Sequence, residues 1–203
     1  MGCMVSCEPG GAVISRFGAL HGVGKVFTGV YPALATDAAP LLAAAMLAAD
    51  SESSIEDVVF ERRFGCAEGF AAFGARVETE GRTLRICPCG SLCGAEAAAP
   101  DLRGGAALVI AALAARGKSK VTNTALIDRG YVGLERMIAG KHGLKRARRK
   151  KDLQKTKFDL HSRPKDDTIQ IYKCGKIFSV RSAQLPIKSD GGQSYGTDAR
   201  RRN

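Results

Sequence analysis

The stretch that decides the fold is Ala99-Pro-Asp-Leu-Arg-Gly-Gly-Ala-Ala-Leu-Val-Ile-Ala111, together with Ile127-Asp-Arg-Gly-Tyr131 further along the chain. Asp101 directly precedes an apolar run and is therefore predicted to cap the start of a helix. Arg103 falls in the first turn of that helix, and Arg129 follows 26 residues later beside a glycine. Two guanidinium groups and a carboxylate at one place would suit a small polyanion whose reaction also moves a proton.

Alternating helices and strands are predicted outward from this stretch by the spacing of apolar residues. Thr36 and Asp37 are predicted to cap a helix that runs to about Ala49, and Asp101 one that ends near Arg116. A turn at Glu80-Gly-Arg82 is predicted to join two short strands into a hairpin. The other predicted elements are strands over 55–60 and 120–124, helices over 68–73 and 132–138, and the hairpin strands 76–79 and 83–87.

The order of these elements repeats along the chain. Asp37 and Asp101 each begin an Ala-rich helix 64 residues apart, and Arg63 and Arg129 each follow the next strand, 66 residues apart. This spacing predicts two copies of one supersecondary unit, whose helix starts would face a shared cleft. The alternative is that Ala-rich helices with acidic caps are simply common and no duplication exists.

The net charge of +11 is unevenly distributed. Residues 1–139 carry 13 Lys/Arg and 14 Asp/Glu, whereas residues 140–203 carry 18 and 6. The segment 141–151 alone holds seven basic residues, which makes a basic nucleic-acid-binding protein the rival hypothesis. Because that segment has no aromatic residues and no recognisable binding module, we expect nucleic acid not to be a partner.

The seven cysteines are an odd number, which favours a reducing cytoplasm over a secreted disulfide scaffold. Cys87, Cys89 and Cys93 have the spacing C-x-C-x₃-C, so a metal site is an alternative. The paired C-x₂-C signature of a zinc site is absent, and we predict no metal. The longest apolar run, 106–115, is too short to span a bilayer, so no membrane partner is expected.

Four motifs between about Lys25 and Met137 carry a family resemblance. They are Tyr31-Pro32 with Thr36-Asp37, Glu61-Arg-Arg63-Phe64, the Pro-Asp-Leu-Arg-Gly-Gly run beginning at Pro100, and Asp128-Arg-Gly-Tyr131. Together they resemble the C-terminal half of the UDP-N-acetylglucosamine enolpyruvyl transferase (MurA) family. The sister enolpyruvyl transferases of the shikimate pathway share the fold, but the Thr-Asp and Asp-Arg-Gly-Tyr blocks favour the sugar-nucleotide branch.

The resemblance implies an α/β fold, part of an inside-out α/β barrel built from βαβαββ repeats. It divides the chain into a partly structured N-terminal leader (1–24), a transferase portion (25–140) and a basic tail (141–203) that fits no part of the family fold. The family reaction transfers the enolpyruvyl group of phosphoenolpyruvate to the 3′-hydroxyl of UDP-N-acetylglucosamine, in peptidoglycan synthesis. No metal or organic cofactor is implied.

The resemblance also assigns roles to individual residues. Asp37 would accept the proton of the attacking sugar hydroxyl, although it could also be a plain helix cap. Arg103 and Arg129 would bind phosphoenolpyruvate, and Arg63 with Val59 would contact the nucleotide sugar. Asp101 would orient Arg103 or share in proton transfer. The chain departs from the family at Ala33-Leu-Ala35, at Arg62 in place of Asn and at Cys66 in place of His.

A complete family member is about twice as long as this chain, and the N-terminal half carries a Lys-Asn pair and a reactive-Cys loop. We therefore expect no transfer activity from this chain alone and regard a complementary N-terminal half as a candidate partner. A non-functional fragment remains an alternative. We also expect marginal stability, because the apolar face of the helix over 106–115 would lack a covering unit.

Overall fold

The computed structural model describes residues 1–8, 11–134, 138, 168–174 and 177–182. Within them, a two-stranded hairpin precedes two four-stranded sheets and four α-helices. The strands are β1 Cys3–Glu8, β2 Gly11–Arg16, β3 Gly24–Phe27, β4 Ser53–Glu56, β5 Arg76–Glu80, β6 Thr83–Cys87, β7 Glu96–Ala98, β8 Gly117–Thr122, β9 Thr168–Cys174 and β10 Ile177–Ser182. The helices are α1 Ala39–Met46, α2 Ala67–Ala72, α3 Leu102–Ala114 and α4 Ala125–Asp128.

The predicted duplication is present in the fold. The order β3-α1-β4-α2-β5-β6 is followed by β7-α3-β8-α4-β9-β10, so the same βαβαββ unit occurs twice. In each unit the first two strands are parallel, with Val26 opposite Ile55 in one sheet and Ala97 opposite Val121 in the other. An antiparallel hairpin then completes each sheet.

The two sheets differ in how the closing hairpin is attached. In the first sheet the strand order is β3-β4-β6-β5, so the second hairpin strand pairs with β4. In the second sheet it is β7-β8-β9-β10, so the first hairpin strand pairs with β8. The strands β9 and β10 come from the basic C-terminal segment that the family pattern leaves unplaced.

The core lies between the helices and one face of each sheet. Most of α3 is buried, including Ala107, Leu108 and Val109, and its main helical neighbour is α1. Glycine allows close packing here, since a Cβ on Gly69 would lie 2.5 Å from the Leu108 side chain. The expectation that this helix would lack cover is therefore wrong, because α1, α2, α4, β8 and β9 surround it.

The N-terminal hairpin carries part of the exposed apolar surface. Met4, Val5 and Ile14 are 62%, 63% and 68% exposed, and Phe17 after β2 is also exposed. A two-stranded ribbon is marginally stable in water without further cover. None of the described helices is long and apolar enough to cross a membrane.

Several predicted boundaries are confirmed and others are corrected. The hairpin from Arg76 to Cys87 and the Asp101 cap of α3 form as expected. Thr36 and Asp37 do not cap a helix: they lie in a 3-10 turn, and α1 begins only at Ala39, with no side-chain cap. The strand predicted over 55–60 ends at Glu56, where Asp57 begins a turn. The helix α4 was not predicted, and the predicted helix over 132–138 lies largely outside the described residues.

Candidate anion-binding cleft

A cleft of about 540 Å³ opens between the two units. It brings together both aspartates and both arginines of the repeat, which confirms the shared cleft predicted from their spacing. The first unit contributes Asp37 and Arg63, and α3 contributes Arg103. The full lining is Asp37, Arg63, Pro100, Asp101, Leu102, Arg103, Leu126 and Arg129.

The Asp37 carboxylate bridges two guanidinium groups. Nη2 of Arg63 lies 2.5 Å from one carboxylate oxygen, and Nη2 of Arg103 lies 2.9 Å from the other. The hydrogen bond from Arg103, followed by that from Arg63, lowers the pKa of Asp37 despite partial desolvation. Asp37 thus links the first unit to the second through its side chain, and the helix-cap interpretation of this residue is wrong.

Arg63 is held in place by three groups of its own unit. Its Nε donates to the Thr36 hydroxyl at 3.0 Å and lies 3.6 Å from the Asp57 carboxylate. Its guanidinium stands 4.7 Å from the centre of the Phe60 ring. Because the side chain is only 13% exposed, its direction toward Asp37 is set before any ligand arrives.

Asp57 contacts two residues near the cleft, Arg63 and Thr36, and was not indicated by the motifs. It is fully buried and accepts hydrogen bonds from the backbone N–H groups of Val59 at 2.8 Å and Phe60 at 2.9 Å. The Thr36 hydroxyl donates to its other oxygen. Burial is the largest influence on its pKa, but the hydrogen bonds from Thr36, Phe60 and Val59 together outweigh it and lower that pKa. An Asp directly after a strand is a turn signal that could have indicated it.

The second unit orients Arg103 through two contacts. Nη1 of Arg103 donates to the Tyr131 hydroxyl at 2.8 Å, with the guanidinium 5.2 Å from the ring centre. Asp101 accepts from the backbone N–H groups of Arg103 at 2.8 Å and Gly104 at 2.7 Å. Asp101 therefore acts as the N-cap of α3 and fixes the backbone from which Arg103 extends.

Arg129 lines the cleft and is exposed. Among the described residues it makes no ion pair, in contrast to Arg63 and Arg103. The φ of Gly130, which follows Arg129, is not in the left-handed region. A Cβ at Gly130 would lie 2.8 Å from Cδ1 of Leu102, so the turn bearing Arg129 packs tightly against the first residue of α3.

Val59, a predicted site residue, and Cys66, which stands where the family has His, lie apart from the cleft lining. Val59 is half exposed in the turn after β4, and its backbone N–H is held by Asp57. Cys66 is buried beneath the site, where desolvation and then the charge of Asp101 raise its pKa to about 12. Within the described part of the chain, no three His, Cys, Asp or Glu side chains are grouped to hold a metal ion.

Comparisons with known proteins agree with the fold and the motifs. The family model described as EPSP synthase (3-phosphoshikimate 1-carboxyvinyltransferase) matches residues 1–138. The UDP-N-acetylglucosamine 1-carboxyvinyltransferase of Solidesulfovibrio magneticus is 37% identical over 135 residues, which cover 66% of this chain and 32% of that protein. A protein named UDP-N-acetylglucosamine 1-carboxyvinyltransferase 1 from Symbiobacterium thermophilum is 40% identical over 108 residues, 53% of this chain and 24% of its own length.

A solved structure of an enolpyruvyl transferase is also similar to this chain. The enolpyruvyl transferase NikO from Streptomyces tendae superposes with a TM-score of 0.60 at 30% identity, covering 66% of this chain and 31% of that one. The resemblance drawn from the motifs and the α/β fold class are thereby confirmed. The chain spans about a third of the length of the curated relatives it matches.

Proposed function

The chain belongs to the EPSP synthase family of enolpyruvyl transferases, and we propose that it forms the arginine-bearing part of a UDP-N-acetylglucosamine 1-carboxyvinyltransferase. The names of its curated relatives support this branch of the family. The reaction would transfer the enolpyruvyl group of phosphoenolpyruvate to the 3′-hydroxyl of UDP-N-acetylglucosamine, a step of peptidoglycan synthesis. Transfer would also require the parts of the enzyme that this chain, covering about a third of those relatives, does not include.

The observation that carries the proposal is the Asp37 carboxylate held between Arg63 and Arg103, with Arg129 unpaired among the described residues of the same cleft. Phosphoenolpyruvate carries a carboxylate and a phosphate, both suited to the planar fork of a guanidinium group. Arg129 supplies a cation that no neighbouring carboxylate in the described chain neutralises. The start of α3 adds backbone N–H groups and the positive end of the helix dipole.

The ion pairs of Asp37 supply a mechanism for switching its basicity. While both arginines hold it, its lowered pKa makes the carboxylate a weak proton acceptor. When the anionic groups of phosphoenolpyruvate bind Arg103 and Arg129, Asp37 loses its ion pair with Arg103 and its pKa rises. It would then take the proton from the sugar hydroxyl as that oxygen bonds to C2 of phosphoenolpyruvate, while an acid outside the described residues protonates C3.

The tetrahedral intermediate would then collapse by loss of phosphate and of a C3 proton. Asp101 would contribute by fixing the backbone of Arg103 as the helix cap. Arg63, anchored by Asp57 and Thr36, would hold Asp37 in position, and Val59 in the adjoining turn would contact the nucleotide sugar. We further propose a cytoplasmic location, which the six free thiols among the described residues favour.

A phosphoenolpyruvate titration tests the site. The chain, alone and mixed with the N-terminal portion of a family relative, would be titrated by calorimetry. Hydrogen bonds to charged groups contribute roughly 1.5–3 kcal/mol, so Arg129→Ala should weaken binding about tenfold to a hundredfold. Arg85→Ala, which removes an exposed arginine of β6, is the matched control and should bind as the parent does. Equal affinities of the parent and Arg129→Ala would remove the proposed role of this residue.

A substitution at Asp37 tests the proposed change in its partners and pKa on phosphoenolpyruvate binding. Asp37→Asn removes the anion that competes for Arg63 and Arg103, so phosphoenolpyruvate should bind several-fold more tightly to this variant. Enolpyruvyl transfer by the chain mixed with the N-terminal portion of a relative, measured as phosphate release, should nonetheless be lost. Weaker binding by Asp37→Asn would show that the carboxylate does not compete with the ligand. Undiminished phosphate release would rule it out as the proton acceptor.

A further inference from the structure

The closing hairpin of the second sheet comes from beyond the region that the family model matches. That region ends at residue 138, whereas β9 begins at Thr168. In the first unit only a short turn separates α2 from β5, but 39 residues separate the end of α4 at Asp128 from β9. The hairpin also enters with its strand order reversed relative to the first unit. The second sheet is thus completed by a distant segment that occupies the place of the ordinary closing hairpin.

The contact between this segment and the domain is well buried. Ile169 and Ile171 are 2% and 0% exposed, and both belong to the single apolar core. They pair in register with Val121 and Ser119 of β8, which are themselves buried. The strand β9 also contacts α3, the helix that presents Arg103 to the cleft.

We infer that β9 and β10 stabilise the second unit: they complete its sheet, cover the edge of β8 and support α3. Without β9, one side of β8 would present a row of unpaired backbone N–H and C=O groups, which is a template for pairing with another chain. The basic C-terminal segment therefore contains a structural part of the second unit, whatever its charged remainder does.

The test compares two substitutions in the full-length chain. Ile171→Asp places a charge at a buried position of β9. Gln170→Asp is the matched control, because successive positions of a strand alternate between the two faces. Hydrogen exchange of the β8 amides should accelerate at least tenfold in Ile171→Asp, and this variant should self-associate on size exclusion. Gln170→Asp should keep the protection and the elution volume of the parent chain.

A synthetic peptide of residues 168–182 provides the second measurement. Added to Ile171→Asp, it should restore protection of β8 and α3 and suppress association, and the same peptide carrying Ile171→Asp should not. If Ile171→Asp unfolds the whole chain, recovery on adding the peptide still supports the inference, and no recovery overturns it. Exchange of the parent β8 amides as fast as that of exposed loops would also overturn it, as would equal behaviour of the two variants.

Discussion

The buried carboxylate of Asp57 lies 3.6 Å from Nε of Arg63, whose other end holds Asp37 at the cleft. A fully buried anion therefore positions the cation that in turn positions the proposed proton acceptor. Asp57 also closes the turn after β4 by accepting from Val59 and Phe60. The stability of the first unit and the geometry of the cleft thus depend on the same carboxylate.

Replacing Asp57 should lower the unfolding free energy of the chain, and Asp57→Ala should lower it more than Asp57→Asn. Asp57→Asn keeps an oxygen for the Val59 and Phe60 N–H groups but loses the charge opposite Arg63. Asp57→Ala leaves those buried donors without an acceptor as well, at a cost of about 3 kcal/mol of unfolding free energy. The midpoint of urea denaturation should be highest for the parent, lower for Asp57→Asn and lowest for Asp57→Ala. Asp50→Ala, at an exposed site, should change little. Equal midpoints for the two Asp57 variants would contradict the ranking.

Stability should fall in acid because the carboxylates of Asp37 and Asp57 both have lowered pKa values in the folded state. Their contribution is fully present above the unfolded-state pKa of about 3.9 and is lost as the pH falls through the lower folded values. Melting temperatures measured from pH 6 to pH 2 should therefore decline below about pH 4. The decline should be shallower in Asp57→Asn, which no longer has that group to protonate, and an identical slope would count against the assignment.

Replacing serine by alanine should change the unfolding free energy in opposite directions at two buried positions. The hydroxyl of Ser119 on β8 is fully buried and has no hydrogen-bond partner among the described residues. Ser119→Ala should therefore raise unfolding free energy by about 1 kcal/mol, since it removes an unsatisfied polar group. Ser53 is 1% exposed but accepts from the Val23 N–H at 3.1 Å, so Ser53→Ala should lower it by a similar amount. Thermal denaturation decides, and destabilisation by Ser119→Ala would be the contrary result.

Gly130→Ala should destabilise the turn that carries Arg129. The added Cβ would lie 2.8 Å from Cδ1 of Leu102, so the Leu102 side chain must move, at a cost of about 1 kcal/mol. Gly11→Ala is the matched control, because a Cβ there meets nothing within 4 Å. Calorimetric melting of the two variants provides the measurement. A melting temperature of Gly130→Ala at or above that of Gly11→Ala would show that the packing at Leu102 yields easily.

The thiol of Cys66 should be inert in the folded chain. Its pKa of about 12 and its full burial leave almost no thiolate at pH 8. Iodoacetamide followed by peptide mass mapping should show rapid labelling of the exposed Cys93 and slow labelling of Cys66. In denaturant the two rates should converge. Early modification of Cys66 without denaturant would mean that α2 opens readily.

The family, the repeat and most cleft residues could be predicted from the sequence because they depend on short motifs and on the spacing between them. Asp101 caps α3 through N–H groups two and three residues away, so its neighbours alone specify it. The 64- and 66-residue spacings placed Asp37, Arg63 and Arg129 in one cleft. Their catalytic and binding roles remain proposals.

Only the tertiary structure decided which partners these side chains have. Asp37 could have capped a helix, but α1 begins later, and packing of the two units brings Arg103, 66 positions away, to its carboxylate. The anchoring of Arg63 by Asp57 and the closure of β8 by β9 are likewise contacts between distant segments. Periodicity and capping are set within a few residues of chain. Ion pairing and sheet closure depend on how whole units pack, which no local pattern specifies.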